Sequence, residues 1–248
     1  MNIREGALLY IDKPYGMSSF QALARVRGML SRRAGRRRIK IGHAGTLDPL
    51  ATGVLIMCTG RKTREIERLQ CGTKEYDATL QLGATTASYD REQPVDATYP
   101  TSHITRSLVE EVLRRFEGEV EQVPPAYSAC KVGGKRAYQM ARSGKDVVLR
   151  PKIVRIERIE LTAFDAEAMT VGMRVVCGKG TYIRALARDI GRALGSGAYL
   201  TSLRRTRVGD VGIADCTPLG EFSRWLDGQA IEDSFEEDRG REEKRKVQ

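Results

Sequence analysis

Histidine is nearly missing from this chain and cysteine is scarce. The 248 residues hold two histidines and five cysteines, at 58, 71, 130, 177 and 216, with no C-x-x-C pair. A zinc or other metal site is therefore not expected, and an odd set of scattered thiols reads as buried sulfur in a reducing compartment rather than a disulfide frame. Long apolar runs are missing too. None reaches the roughly 20 residues of a membrane span, and the opening MNIREGALLYIDKP has neither the apolar stretch nor the cleavage site of a secretory signal. The expectation is a globular cytoplasmic protein without membrane contact. With 41% hydrophobic and 30% charged residues, the chain can close one large core or two modest ones.

Charge of one sign is in excess. Forty-two Lys and Arg against 32 Asp and Glu give +10, and the last twenty residues hold seven acids and five bases, so residues 1–228 carry +12. A body this basic suits a polyanion such as nucleic acid, because neutralising phosphates releases condensed counterions.

Local patterns place elements along the chain. Ala7 to Ile11 is an apolar run stopped by Pro14 and Gly16, and Ser18 or Ser19 can cap a helix with Leu23, Val26 and Leu30 on one stripe. Six bases follow between Arg32 and Lys40, either a solvated loop or a set of phosphate contacts. From Thr73 the residues alternate, which turns Tyr76, Ala78, Leu80 and Leu82 inward on a strand. Leu108, Val112 and Phe116 mark a second helix closed by Gly118. Residues 124–150, rich in Pro, Gly and Lys or Arg, read as a long excursion. Met169 to Cys177 alternate as another strand, and Ile183, Leu186, Ala187, Ile190 and Leu194 line a third helix stopped by Gly195. Strands and helices mix without a regular βαβ repeat, so the fold class is α+β. After Trp225 periodicity is lost, and residues 229–248 read as a charged, disordered tail.

The densest cluster of special residues is Ile41 to Gly53, IGHAGTLDPLATG, which runs into the apolar strand Val54 to Cys58. Its three glycines permit tight backbone paths, and Pro49 disfavours helical geometry at Asp48. Such a loop holds a shape and presents one acid and one histidine. Taken alone, an Asp-Pro is more often a turn or a cap than a catalytic group. Two other motifs fail on spacing. Six residues rather than four separate Gly53 from Gly60, and Arg61 intervenes before Lys62, so there is no phosphate-binding P-loop. No G-x-S-x-G elbow supports a serine hydrolase.

GHAGTLDPLATG resembles the signature loop of the TruB family of pseudouridine synthases. The same order along the chain contains Leu9-Tyr10-Ile11-Asp12-Lys13-Pro14 with Gly16-Met17-Ser18-Ser19, then Lys74-Glu75-Tyr76 and Pro124-Pro125-Ala126-Tyr127-Ser128-Ala129. Gly133-Gly134-Lys135, Arg136-Ala137-Tyr138, Lys179-Gly180-Thr181-Tyr182-Ile183-Arg184 and Leu203-Arg204-Arg205 follow. The resemblance runs from about residue 7 to 215. It implies a pseudouridine synthase fold, a mixed and mostly antiparallel central sheet flanked by helices and long loops. One catalytic domain is expected over 1–228, with a thumb-like RNA-binding insertion around 124–150. The small C-terminal RNA-binding module common in bacterial members is not seen after Trp225.

The same resemblance implies isomerisation of uridine 55 in the TΨC loop of tRNA, by a monomer needing no cofactor and no metal. Asp48 is then the catalytic aspartate, Tyr76 the ring packed on the target base, and Arg184 the partner of Asp48. His43 helps to hold the flipped-out nucleotide, Leu203 is an apolar wall, and Asp90 is an acid near the site. Lys13 and Tyr182 belong to the matched motifs as substrate-side residues. Lys131, Lys135 and Arg136, with Arg142, Lys145 and the Arg32 to Lys40 bases, are candidate phosphate contacts. The chemistry is consistent. Detaching a uracil, turning it and rejoining it through C5 requires a base outside the helical stack, and one carboxylate can attack the ribose or the uracil or act as a base. A buried, ionised carboxylate needs a cation beside it, which gives Arg184 a reason to be there. A phenol is a poor base near neutral pH, so stacking is the expected role of Tyr76. The rivals are a non-catalytic RNA-binding protein and a guide-RNA-directed relative that works within a larger particle.

Overall fold

The computed structural model describes residues 1–35, 38–128, 130–132, 135–143 and 149–231. In chain order the first elements are β1 (Leu8–Lys13), α1 (Ser19–Arg33), β2 (Ile41–His43), β3 (Thr52–Thr59), a 3-10 turn (Gly60–Glu65) and α2 (Ile66–Cys71). Then come β4 (Lys74–Leu82), β5 (Ala84–Thr86), β6 (Val95–Thr98), α3 (Arg106–Arg114), β7 (Gly118–Gln122), β8 (Lys131–Val132), β9 (Lys135–Arg136) and α4 (Ala137–Arg142). The last are β10 (Lys152–Asp165), β11 (Thr170–Cys177), α5 (Ile183–Ala193), β12 (Ala198–Val208), β13 (Val211–Gly212), β14 (Thr217–Pro218) and α6 (Phe222–Asp227). They divide into two compact units. One comprises Met1–Pro49, Gly53–Gln70 and Ala214 onward; the other comprises Leu50–Thr52 and Cys71–Ile213.

In the first unit β1 runs antiparallel to β3, with Leu8 opposite Cys58, and parallel to β14, with Ile11 opposite Thr217. Helix α1 starts where its residues dictate. Ser18 accepts a hydrogen bond from the Gln21 amide while the Gln21 side chain accepts one from the Ser18 amide, a reciprocal capping box. Its apolar stripe, Ala22, Leu23, Val26 and Leu30, is buried with Leu9 and Ile11 of β1 and Phe222 and Leu226 of α6 in one core. Trp225 stacks on Phe222 with ring centroids 5.2 Å apart.

The second unit is an antiparallel sheet in the order β12-β4-β11-β10-β7. Strand β4 shows the expected period of two, with Lys74, Tyr76, Ala78, Leu80 and Leu82 buried and their neighbours less so. Helix α5 packs on β12 and β4. Gly191 permits that approach, since a Cβ there would come within 2.4 Å of the Ala198 amide nitrogen. The α+β class and the mixed, mostly antiparallel pairing are as expected.

Several details depart from the sequence reading. The second helix ends at Arg114 and buries Val109, Val112 and Leu113; Gly118, with φ +97°, opens β7 instead of closing the helix. The long strands β10 and β12 had no counterpart in the pattern analysis. The cysteines are not uniformly buried: Cys71 is exposed, Cys130 and Cys216 are partly so, and only Cys58 and Cys177 are inside. The expected disordered tail lies outside the described residues from position 232 onward, as do Lys145, Ala129, Gly133 and Gly134 of the excursion and Arg36 and Arg37 of the basic loop. No helix among the described residues is long and apolar enough to cross a membrane.

The thiols make a direct check on this packing. Desolvation pushes both Cys58 and Cys177 up to about 11, with Glu65 adding to the effect at Cys58. At pH 8 roughly one such thiol in a thousand is ionised, and the thiolate is the reactive form. A maleimide or disulfide reagent is expected to label Cys71 within minutes in the native protein and to reach Cys58 and Cys177 only after unfolding. Equal labelling of all five by peptide mapping would contradict the packing.

Candidate active site

The Asp48 loop connects β2 to β3 in the first unit. Asp48 is half-buried, and both its predecessor Leu47 and the nearby Ala51 are buried anchors. Ala44 donates its amide to the Ile56 carbonyl at 2.8 Å, which ties the start of the loop to β3. Ser19, the first residue of α1, clamps the middle: its hydroxyl donates to the Leu47 carbonyl at 2.9 Å and accepts from the Leu47 amide at 2.8 Å. The Gly16 amide donates to the Pro49 carbonyl at 2.9 Å. Gly45 and Gly53, at φ +98° and +103°, take left-handed turns on either side that a side chain would strain.

Lys13 completes the clamp. Its side chain is fully buried, and the ammonium donates to the carbonyls of Pro14 at 2.9 Å, Met17 at 2.5 Å and Pro49 at 3.5 Å. A buried cation needs such acceptors. Three carbonyls from two loops thus converge on one charge, and the geometry fits Lys13 for positioning the Asp48 loop. His43 sits on β2 opposite Met57 of β3, half-buried.

The second unit carries the other expected residues. Tyr76 on β4 is 8% exposed, with Val175 of β11 on one side and Arg205 of β12 on the other. Leu203 on β12 lies opposite Ala78, two residues along from Tyr76, and is half-buried. Tyr182 caps α5; its amide donates to the buried Gln122 side chain at 2.8 Å, and its hydroxyl is 3.3 Å from the Cys130 sulfur. Arg184, in the first turn of α5, is 4% exposed. Its guanidinium donates to the carbonyls of Ser88 at 3.0 Å and Tyr127 at 2.8 Å, and its Nε lies 3.6 Å from the Asp90 carboxylate. Asp90 is itself held by the Ser88 hydroxyl at 2.6 Å and the Glu92 amide at 2.9 Å. Asp90 therefore takes a defined role as a buried counter-charge of Arg184.

Three features escaped the sequence reading. Arg188, one turn beyond Arg184, bonds the Val123 carbonyl and Asp189 and places its guanidinium 5.3 Å from the Tyr89 ring centre. Tyr89 has φ +59°, a left-handed conformation that is uncommon for a tyrosine. Arg205 is 1% exposed beside Tyr76. Burial lowers the affinity of Lys74 for its proton, and the charge of Arg205 adds to this. Strand β12 slips register between Leu200 and Ser202, so the alternation that buries Ala198 and Leu200 does not carry on to Arg205, and no local pattern marks it as inward.

Lys131, Lys135 and Arg136 lie on a short antiparallel pair, Lys131 opposite Arg136 and Val132 opposite Lys135. In the first unit a cleft of about 380 Å³ is lined by Arg4, Arg38, Lys40, Arg61 and Arg64 over Ile3 and Ile39, and none of its described lining residues is acidic. The C-terminal part of the basic loop thus shares its cleft with bases from two other segments. No group of three His, Cys, Asp or Glu side chains among the described residues is placed to hold a metal ion.

Solved structures share this frame. The chain is similar to one in the crystal structure of a Cbf5-Nop10-Gar1 complex, at 28% identity and a TM-score of 0.67, over 90% of this chain and 55% of that one. It is likewise similar, at 27% identity and a TM-score of 0.65, to a chain in an H/ACA RNP bound to a substrate RNA containing 2'-deoxyuridine. It spans about half the length of these solved chains. The family model described as TruB family pseudouridylate synthase (N terminal domain) matches residues 32–183, and that of the tRNA pseudouridylate synthase B C-terminal domain matches 184–235. Among curated proteins, tRNA pseudouridine synthase B of Phocaeicola vulgatus is 58% identical, over 96% of this chain and 100% of that protein. Its counterpart from Bacteroides thetaiotaomicron is 58% identical over 94% and 98%. The chain belongs to the TruB family of pseudouridylate synthases.

Proposed function

We propose that this protein converts uridine 55 of tRNA to pseudouridine, with Asp48 as the catalytic carboxylate. The preset Asp48 loop carries this reading, because Ser19, Lys13 and Gly16 hold the backbone on both sides of Asp48 from outside the loop, so its path is arranged before substrate arrives. The tRNA substrate is supported by the relatives that match nearly the whole chain, which are tRNA pseudouridine synthases B. In the reaction the bond from C1′ to N1 breaks, one from C1′ to C5 forms, the C5 proton leaves, and N1 gains a proton. Asp48 serves at the ribose or at the uracil. Tyr76 offers its ring face to the displaced base, and Leu203 adds an apolar wall. Arg184 supplies a buried positive charge to the reaction, oriented by Asp90. His43 and Tyr182 contact the flipped nucleotide. The bases of β8 and β9 and of the Arg38 cleft meet phosphates. The protein works as a monomer in the cytoplasm without cofactor or metal.

The test is hydrogen release from C5-tritiated uridine in full-length tRNA transcripts. Release is expected from the normal transcript and absent from one with cytidine in place of uridine 55. Release that persists without that uridine would move the target elsewhere. Release only after a guide RNA is added would favour the particle-bound alternative.

A further inference from the structure

The two most exposed aromatic rings among the described residues lie five positions apart, on either side of the segment that clamps the Asp48 loop. Phe20 is 68% exposed and Tyr15 59%. Neither belongs to the core of the first unit, since the buried stripe of α1 runs through Ala22, Leu23, Val26 and Leu30 on the other face. A single exposed ring is ordinary. What separates this pair from ordinary surface is its attachment. Tyr15 precedes Gly16, whose amide bonds the Pro49 carbonyl, and Phe20 follows Ser19, whose hydroxyl bonds Leu47. Pro49 and Leu47 are the two neighbours of Asp48. Each ring is thus one residue from a group hydrogen-bonded to a neighbour of the catalytic carboxylate, and both backbones are fixed relative to it.

The electrostatics of the same helix favour an anionic strand. Helix α1 contains no acidic residue, and Arg25 and Arg27 are exposed five and seven positions beyond Phe20. At about 3.6 residues per turn and 1.5 Å per residue, Arg27 follows the ring by roughly two turns on the same face of α1, whereas Arg25 lies well round the helix from it.

We infer that Tyr15 and Phe20 form a stacking platform for unpaired RNA bases next to the nucleotide that enters the site, with Arg27 meeting an adjoining phosphate. The inference rests on the proposed function and adds the residues that receive the substrate's flanking bases. A nucleotide turned out of its stack leaves its neighbours without a partner. An exposed ring fixed beside the site replaces that partner, and stacking of this kind tolerates any base because every base has a π face.

Two measurements test the platform. In the tritium-release assay, Phe20→Ala and Tyr15→Ala are each expected to raise KM by about five- to a hundredfold, the range for one stacked base. Turnover at saturating tRNA should move by less than about twofold. Phe20→Trp should restore KM, whereas Phe20→Leu should not, which separates a π face from plain apolar bulk. In parallel, a T-arm hairpin carrying 2-aminopurine beside the target uridine should lose fluorescence on binding the unaltered protein and keep it with Phe20→Ala. Unchanged KM in both alanine variants, or rescue by leucine as complete as by tryptophan, would overturn the inference. Quenching without any tritium release from tRNA would instead defeat the proposed function and leave the platform standing.

Discussion

Asp48→Asn is expected to lower C5-hydrogen release by three to five orders of magnitude, about the loss that follows removal of an essential nucleophile or base. The substitution keeps the shape of the side chain and removes its charge. The hydrogen bonds that hold the loop run through the backbone of Ala44, Leu47 and Pro49, so the loop should keep its path. The thermal midpoint should stay within a few degrees and tRNA affinity within about threefold, since phosphate contacts supply most of the binding. A single-turnover assay beside a filter-binding titration separates the two effects. Release within tenfold of the unaltered protein would remove Asp48 from the chemistry, and loss of both release and binding would point to a collapsed loop.

The second large effect concerns Arg184. With both partners buried, the Arg184 and Asp90 charges face each other at 3.6 Å, and two further carbonyls accept from the guanidinium. Arg184→Met leaves the Asp90 carboxylate buried beside an apolar chain, a change that costs about 3–5 kcal/mol. For a chain of this size each kcal/mol moves the midpoint by roughly 2–4 °C, so calorimetry should show a fall of about 6–20 °C. Arg184→Lys keeps the charge but cannot span the carbonyls of Ser88 and Tyr127 with one ammonium as the planar fork does. It should fold with a smaller loss and still turn over poorly. The double variant Arg184→Met with Asp90→Asn should be less destabilised than the two single losses added together, by about 0.5–3 kcal/mol. Strict additivity would show that the two groups do not act as a pair.

Much of the candidate site's local structure was legible because its signals are local. The Asp48 loop declares itself through glycines that turn left-handed, a proline that bars helix at the acid, and an apolar strand directly after it. Tyr76 could be placed inward because β4 keeps an unbroken period of two. The start of α1 followed from Ser18 and Gln21, although choosing between Ser18 and Ser19 required the fold: Ser18 caps the helix, and Ser19 turns to Leu47. Strand β10 escaped notice because its charged residues lie among the apolar ones and its register slips between Ile156 and Arg158 and between Leu161 and Ala163. Strand β12 slips between Leu200 and Ser202 and between Arg205 and Arg207. Each slip resets which side chains face inward, so a simple alternation cannot reveal the strand.

By itself the sequence determined the α+β class, the family, the basic surface and the identity of the loop acid, because these depend on residue type and short-range spacing. Tertiary structure alone decided what each charge touches. Lys13 looked like one more substrate-side base until its ammonium was found on carbonyls from two loops 36 residues apart. Asp90 had no defined partner until the fold brought α5 against the turn after β5. A buried charge is satisfied by whatever the chain brings within about 3 Å of it, and that is a property of long-range packing which no local pattern records.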